Sequence, residues 1–218
     1  YETLSFLDRV YLISEHGYNY LTQKHPNFQS KYEVARLGVE DPGFITETSQ
    51  DGTFRVVSCS YIVPVKRIDL LIQGLKELGQ NRPEESFEWT HIGYGPLKEQ
   101  MEDIAKRYLP KNISFHFLGY LPNSEVISFY QNNCVDVFIN VSSSEGIPVS
   151  IMEAQSCGIP VIATAVGGTP EIVSNNEGIL LCENPTPQEI ADAIWMIKSD
   201  SSRLEQLKKN SKLNRDKM

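Results

Sequence analysis

Two carboxylates flanking a proline-opened helix are the residues of this chain best placed to do chemistry. In residues 142–158, SSSEGIPVSIMEAQSCG, an apolar run ends at Val141, a polar loop follows, and Pro148 suits a first helical position. The first N–H groups of such a helix, near Val149 and Ser150, have no intrahelical acceptor. With the helix dipole they form an anion site contributing ~0.3–1 kcal/mol, and up to ~2 kcal/mol when partly buried. Glu145 precedes the helix. Glu153 lies five positions past Pro148, ~7 Å further along at about 1.5 Å per residue. Carboxylates repel phosphate but accept hydrogen bonds from sugar and ribose hydroxyls. One on each side of a phosphate-sized site therefore suits a nucleotide diphosphate sugar. The spacing equally suits a capping Glu145 and a solvent-facing Glu153, and by itself leaves both readings open.

Three further segments carry candidate groups. In SYIVPVKRIDLL, residues 60–71, Lys66 and Arg67 fall in a strand-to-helix loop, where positive charge can meet a diphosphate. Cations disfavour a helix N-terminus, which argues against plain surface charges there. In HIGYGPLKEQM, residues 91–101, a G-x-G follows a strand, but position 98 is Lys where a dinucleotide fingerprint needs a third glycine. In GGTPEIV, residues 167–173, Thr169 can cap and Pro170 can open a short helix, and Gly167 and Gly168 can admit a close ligand or simply shape a turn. Neither H-E-x-x-H nor D-x-D occurs, and His91 and His116 sit in strand-like runs, so no metal site is expected. Cys59, Cys134, Cys157 and Cys182 form no C-x-x-C and lie in or beside apolar runs, which reads as reduced core thiols of a cytosolic protein.

The elements that must position these groups alternate regularly from residue 54 onward. Strand-like runs are expected at 54–60, 87–92, 113–118, 135–141, 160–163 and 177–181. Helical spacing covers 66–80, 96–109, 123–132, 148–157 and 187–199. Short apolar strands alternating with amphipathic helices predict βαβ units and a parallel sheet, with ligands outside the carboxyl ends of the strands. Residues 1–50 fit less well: 9–13 and 33–37 read as strands and 15–24 as a helix, too little for an independent core. The Asp-Gly in 50–53 marks a turn boundary.

Composition narrows the partners. In 218 residues, 20 Lys and Arg face 28 Asp and Glu, a net charge of −8. That excludes a broad nucleic-acid footprint and leaves an anionic ligand only a local positive site. Residues 203–217 are locally basic through Arg203, Lys208, Lys209, Lys212, Arg215 and Lys217, which reads as a solvated helix face or frayed tail. No run of 18 apolar residues occurs, so no membrane span is expected.

Read in order, VPVKRIDLLI, IGYGPLKEQM, FLGYLP, DVFINVSSSEGIPVSIMEAQSCGIPVIAT and GGTPEIV resemble the carboxyl-terminal, donor-binding domain of a glycosyltransferase family 4 enzyme of the retaining GT-B type. The resemblance implies an α/β fold, a Rossmann-like parallel sheet with helices on both faces. Residues 1–50 would be a remnant of the amino-terminal domain and crossover, 51–200 the nucleotide-sugar domain, and 201–218 a basic helical tail.

It also implies roles. Glu145 would contact the donor sugar and Lys66 the diphosphate, as the catalytic pair. Glu153 would bind ribose. Backbone amides near Pro148, Val149 and Ser150 would support the phosphates, Gly146 and Ile147 would add to the donor site, Leu118, Gly119 and Tyr120 would border the base, and Gly167 and Gly168 would line the cleft. No metal or cofactor is implied. The donor, UDP- or GDP-linked, is substrate, and a carbohydrate or lipid-linked acceptor would bind through the amino-terminal domain. Polysaccharide synthesis is the expected setting, in the cytoplasm or peripherally at the inner face of the membrane.

One departure matters: the family's Arg two residues before Val-Pro is Tyr61 here. A charge-assisted bond to phosphate contributes ~1.5–3 kcal/mol, so its loss predicts ~10–100-fold weaker donor binding. Alternatives are a degenerate nucleotide-sugar module without transferase activity, a nucleotide-sugar epimerase of the same fold, and an interaction domain.

Overall fold

The protein is described by a computed structural model over residues 2–214. Its centre is a six-stranded sheet of β3 (Thr53–Cys59), β4 (Ser86–Ile92), β5 (Ile113–Gly119), β6 (Val137–Asn140), β7 (Val161–Thr164) and β8 (Gly178–Leu181). The order is β5-β4-β3-β6-β7-β8, every pair parallel. Helices α3 (Ile68–Asn81), α4 (Lys98–Tyr108) and α7 (Pro187–Lys198) cover one face; α5 (Asn123–Asn132) and α6 (Val149–Ser156) cover the other.

Neighbouring strand residues part company across the sheet. Val56, Ile139 and Ile162 pack under α3 and α7, while Val57, Phe138 and Val161 pack under α5 and α6. Burial on both faces is why these strands read as unbroken apolar runs. Gly74 lets α3 sit directly on α7, since a Cβ there would lie 2.5 Å from Ile190 Cγ2. A capping box between Thr186 and Glu189 starts α7. His91 is a core residue: its Nδ1 shares a 2.8 Å hydrogen bond with Ser58 Oγ, and burial pushes its pKa down to about 4, so it stays neutral.

Several boundaries differ from the sequence expectation, for local reasons. Pro96 lies in a turn and α4 starts at Lys98, because Lys98 N–H closes back on Gly95 O. Pro148 caps α6 from an extended conformation rather than occupying its first turn. Thr169 does not cap: it is the first residue of the 3-10 turn Thr169–Glu171, and its buried Oγ1 has no partner among the described residues. Of the four free cysteines only Cys157 is fully buried, and Cys182 is exposed just beyond β8. The basic C-terminal segment is also less solvated than expected. In α8 (Ser201–Asn214), Lys208 is buried and donates to Thr46 O at 2.8 Å. Arg215 and Lys217 lie outside the described residues.

Residues before the sheet begin with α1 (Glu2–Phe6). They then form β1 (Val10–Leu12), α2 (Glu15–Lys24) and β2 (Tyr32–Val34), the two strands pairing parallel in a sheet of their own. One carboxylate fastens this unit to the larger sheet. Glu171 accepts the N–H of Glu15 at 3.0 Å and of His16 at 2.9 Å, in the first turn of α2, and pairs with Arg36 Nη1 at 2.7 Å. Burial pushes the Glu171 carboxyl up, but these bonds outweigh it and hold its pKa below the ordinary value of 4.5.

A depressed carboxyl contributes stability fully above its unfolded pKa and loses it as pH falls through the lower folded value. Glu171→Gln is therefore expected to cost about 2 kcal/mol near neutral pH, the scale of a charged hydrogen bond. It should also flatten the acid limb of stability below about pH 4.5. Urea unfolding of both proteins across that range checks it.

Candidate active site

The strand order reverses between β3 and β6, and open α/β sheets bind ligands at the carboxyl edge of that reversal. The loops leaving β3 and β6 are tied together across it. Ser143 N–H donates to Val65 O at 2.8 Å. Arg67 stands at φ 49°, a left-handed conformation that turns its guanidinium inward. There it donates to Val141 O at 2.6 Å, Ser142 O at 2.8 Å and Glu183 O at 2.9 Å. Arg67 is thus a structural clamp on three carbonyls, whereas Lys66 beside it faces the site.

Lys66 Nζ bridges the reversal to Glu145 Oε1 at 2.6 Å, and Asn140 Nδ2, from the last residue of β6, adds a 3.1 Å bond to the same oxygen. Burial pushes the Glu145 carboxyl up; these donors outweigh it and keep its pKa below the ordinary range, so it is ionised at neutral pH. A cleft of about 520 Å³ opens over the pair, bounded by Tyr61, Lys66, Tyr94, Tyr120, Glu145, Ile147, Pro148, Val149 and Ser150. At its α6 end, Pro148 O accepts the N–H groups of Ile151 and Met152, which leaves those of Val149 and Ser150 without a partner among the described residues.

The structure thus gathers Tyr61, Lys66, Glu145, Ile147, Pro148, Val149 and Ser150 around one cleft. Of the glycines, Gly93 lines the cleft, whereas Gly119, Gly146, Gly167 and Gly168 stand outside its lining. Gly168 N–H donates to Gly146 O at 2.8 Å, and a Cβ on Gly167 would sit 1.8 Å from Glu145 O, so Gly167 and Gly168 buttress the Glu145 loop rather than line the cleft as expected. Gly119 accepts the Gly93 N–H at 2.8 Å and joins the loops after β4 and β5. The G-x-G of residues 93–95 serves packing too: a Cβ on Gly93 or Gly95 would lie 1.9 or 2.4 Å from the carbonyls of Ser60 or Ile62.

Glu153, on α6, is half-buried and accepts Asn123 Nδ2 at 2.5 Å. Its charge adds to the burial that pushes the thiol of Cys59, on the cleft floor, up to about 12.

Two residues, Asn140 and Tyr94, escaped the sequence reading. Asn140 could have been found as a lone amide at the end of an apolar strand. Tyr94 and Tyr120 each follow a glycine after a strand, and with Tyr61 they form an edge-to-face chain of rings, 5.0 and 5.8 Å between centroids. A wider hollow of about 650 Å³ near the amino ends of β3 and β4 is a weaker candidate, because its Arg55 is already paired with Asp51 and Glu88.

The backing role of Gly167 sets an expectation. Both Gly167 and Gly119 have positive φ, but a Cβ on Gly119 meets nothing within 4 Å. Gly119→Ala should therefore cost only about 1–2 kcal/mol of left-handed strain. Gly167→Ala should cost about 1–3 kcal/mol more, because Glu145 must move. Thermal unfolding of the two variants side by side tests the difference.

Residues 45–214, more than half of the chain, match the family described as Glycosyl transferases group 1. The chain is 34% identical over 148 residues to a subunit of the human phosphatidylinositol N-acetylglucosaminyltransferase, covering 66% of this chain and 29% of that one. It is 28% identical over 170 residues to the amylovoran biosynthesis glycosyltransferase AmsK of Erwinia amylovora, covering 74% and 40%. It therefore spans less than half the length of these curated relatives. The fold matches that of Anabaena HepE, solved in complex with UDP, at a TM-score of 0.79 and 21% identity, covering 99% of this chain and 60% of HepE. With its Rossmann-like sheet of GT-B type, this chain belongs to the glycosyl transferases group 1 family.

Proposed function

We propose that this chain is the donor-binding part of a family 4 glycosyltransferase that transfers a hexosyl-type sugar, with retention of configuration, from a nucleoside diphosphate carrier. The observation that carries the reading is the Lys66–Glu145 pair spanning the strand reversal, beside the two amides of α6 that have no partner among the described residues. Lys66 and the amides of Val149 and Ser150 would hold the diphosphate and stabilise the charge that grows on it as it leaves. Glu145 would accept donor-sugar hydroxyls and Glu153 ribose hydroxyls. UDP is the leading carrier, since HepE was solved with UDP; GDP is the alternative. The reading needs no metal ion or cofactor.

The acceptor, a carbohydrate or a lipid-linked sugar, would be oriented by residues outside this chain. Orientation can carry ~7–11 kcal/mol of a barrier, so residues 1–218 alone should bind donor without transferring sugar. A cytoplasmic enzyme of polysaccharide synthesis, peripheral to the membrane, fits this chemistry. No helix among the described residues is long and apolar enough to cross a membrane.

Tyr61 favours a second reading, a nucleotide-sugar module without transfer activity. Lys66 is the only cationic side chain lining the cleft among the described residues, and it is already paired.

Calorimetric titration of uridine and guanosine diphosphates, with and without their sugars, tests the proposal. Glu153→Ala should weaken every ribose-containing ligand about 10-fold or more, while Glu145→Ala should weaken mainly the sugar conjugates. Equal losses in both variants for all ligands would refute the division of labour. Tyr61→Arg should tighten diphosphate binding by ~1–2 kcal/mol at low salt, and by less as salt is added. No gain at low salt would remove Tyr61 from the phosphate contact.

A further inference from the structure

Glu153 is held from one side only. Asn123 Nδ2 donates to its Oε1 at 2.5 Å, and no described residue donates to its Oε2. Asn123 is the first residue of α5 and directly follows the loop through Tyr120 and Leu121, which bounds the cleft. The bond therefore joins that loop to the helix carrying Glu153. The face of α5 that bears Asn123 continues through Val126 to Tyr130, both packed against the α6 core residues. Tyr130 is fully buried, and its hydroxyl has no partner among the described residues.

These contacts fix how Glu153 can act. Its carboxylate is half-buried on a helix already packed in place. One oxygen is taken by a neutral donor, and the other keeps its lone pairs for a ligand. Burial pushes the Glu153 carboxyl above its ordinary range, and the Asn123 bond, which favours the charged form, opposes only part of that push. A charged acceptor binds a hydroxyl more strongly than a neutral one.

We infer that Asn123 is a positioning residue for ribose recognition: by occupying Glu153 Oε1 it holds the carboxylate in one orientation and leaves Oε2 to accept from the 2′- and 3′-hydroxyls of a bound nucleotide. The inference rests on the proposed assignment of Glu153 to ribose. Asn123 itself touches no ligand. It is exposed, so its replacement leaves the core intact.

Calorimetry with uridine diphosphate and its 2′,3′-dideoxy form, and with the guanosine pair, separates the two ideas. Glu153→Gln should collapse the preference for the ribose form. Asn123→Ala should reduce that preference about 5- to 10-fold, through weaker binding of the ribose form and little change for the dideoxy form. Asn123→Asp places two carboxyls together, which raises a pKa of the pair. Its preference should be lost near neutral pH and regained toward about pH 5, where a protonated Asp side chain again donates to Glu153. If Glu153→Gln leaves the preference intact, or no nucleotide binds, the ribose assignment fails and the inference with it. If Glu153→Gln abolishes the preference while Asn123→Ala weakens both ligands equally, or changes neither, the assignment stands and only the positioning role is overturned.

Discussion

The reversal of strand order between β3 and β6 is the constraint on which the rest of this molecule depends. Chains leaving these neighbouring strands turn to opposite faces of the sheet, and the gap between them exposes carbonyls that the sheet no longer pairs. Arg67 supplies the donors: one guanidinium reaches Val141 O, Ser142 O and Glu183 O, and so ties the loops after β3, β6 and β8 together. Its left-handed backbone, at φ 49°, stores strain in a non-glycine residue, and the charged hydrogen bonds to three carbonyls offset that cost. With Arg67 turned inward, Lys66 points the other way, into the cleft.

The electrostatics of the cleft follow from that arrangement. Lys66 and Glu145 neutralise one another before any ligand arrives, so the empty site carries little free charge of its own. A half-buried ion pair of this kind is expensive to break by removing one partner, because the other is left desolvated. An incoming anion would instead share the ammonium with Glu145, and the two α6 amides without a partner among the described residues would contribute positive potential without a counter-charge. In the same cleft, Tyr61, Tyr94 and Tyr120 form an aromatic wall in which each ring presents its edge or face to the next.

A mechanical chain runs from this cleft to the amino-terminal elements. Gly167 and Gly168 lie close against the Glu145–Gly146 backbone, and three residues further on Glu171 grips the first turn of α2. Both contacts rely on backbone groups with no slack: a missing Cβ on one side, two helix N–H groups on the other.

Sequence alone determined the order of strands and helices, the parallel sheet, and the segments that reach its carboxyl edge. These are properties of periodicity and of local turn chemistry, which need no partner distant in the chain. Lys66, Glu145 and the Pro148 helix start were legible for the same reason: charged or polar groups interrupting apolar runs at a strand end. Tertiary structure decided which of the neighbouring cations Lys66 and Arg67 faces the cleft, because that choice depends on carbonyls 74 to 116 residues away. It likewise turned Gly167 and Gly168 from cleft lining into buttress, and joined Asn123 to Glu153 across 30 residues. Residue type fixes what a group can do, but only the crossing of distant loops fixes what it meets.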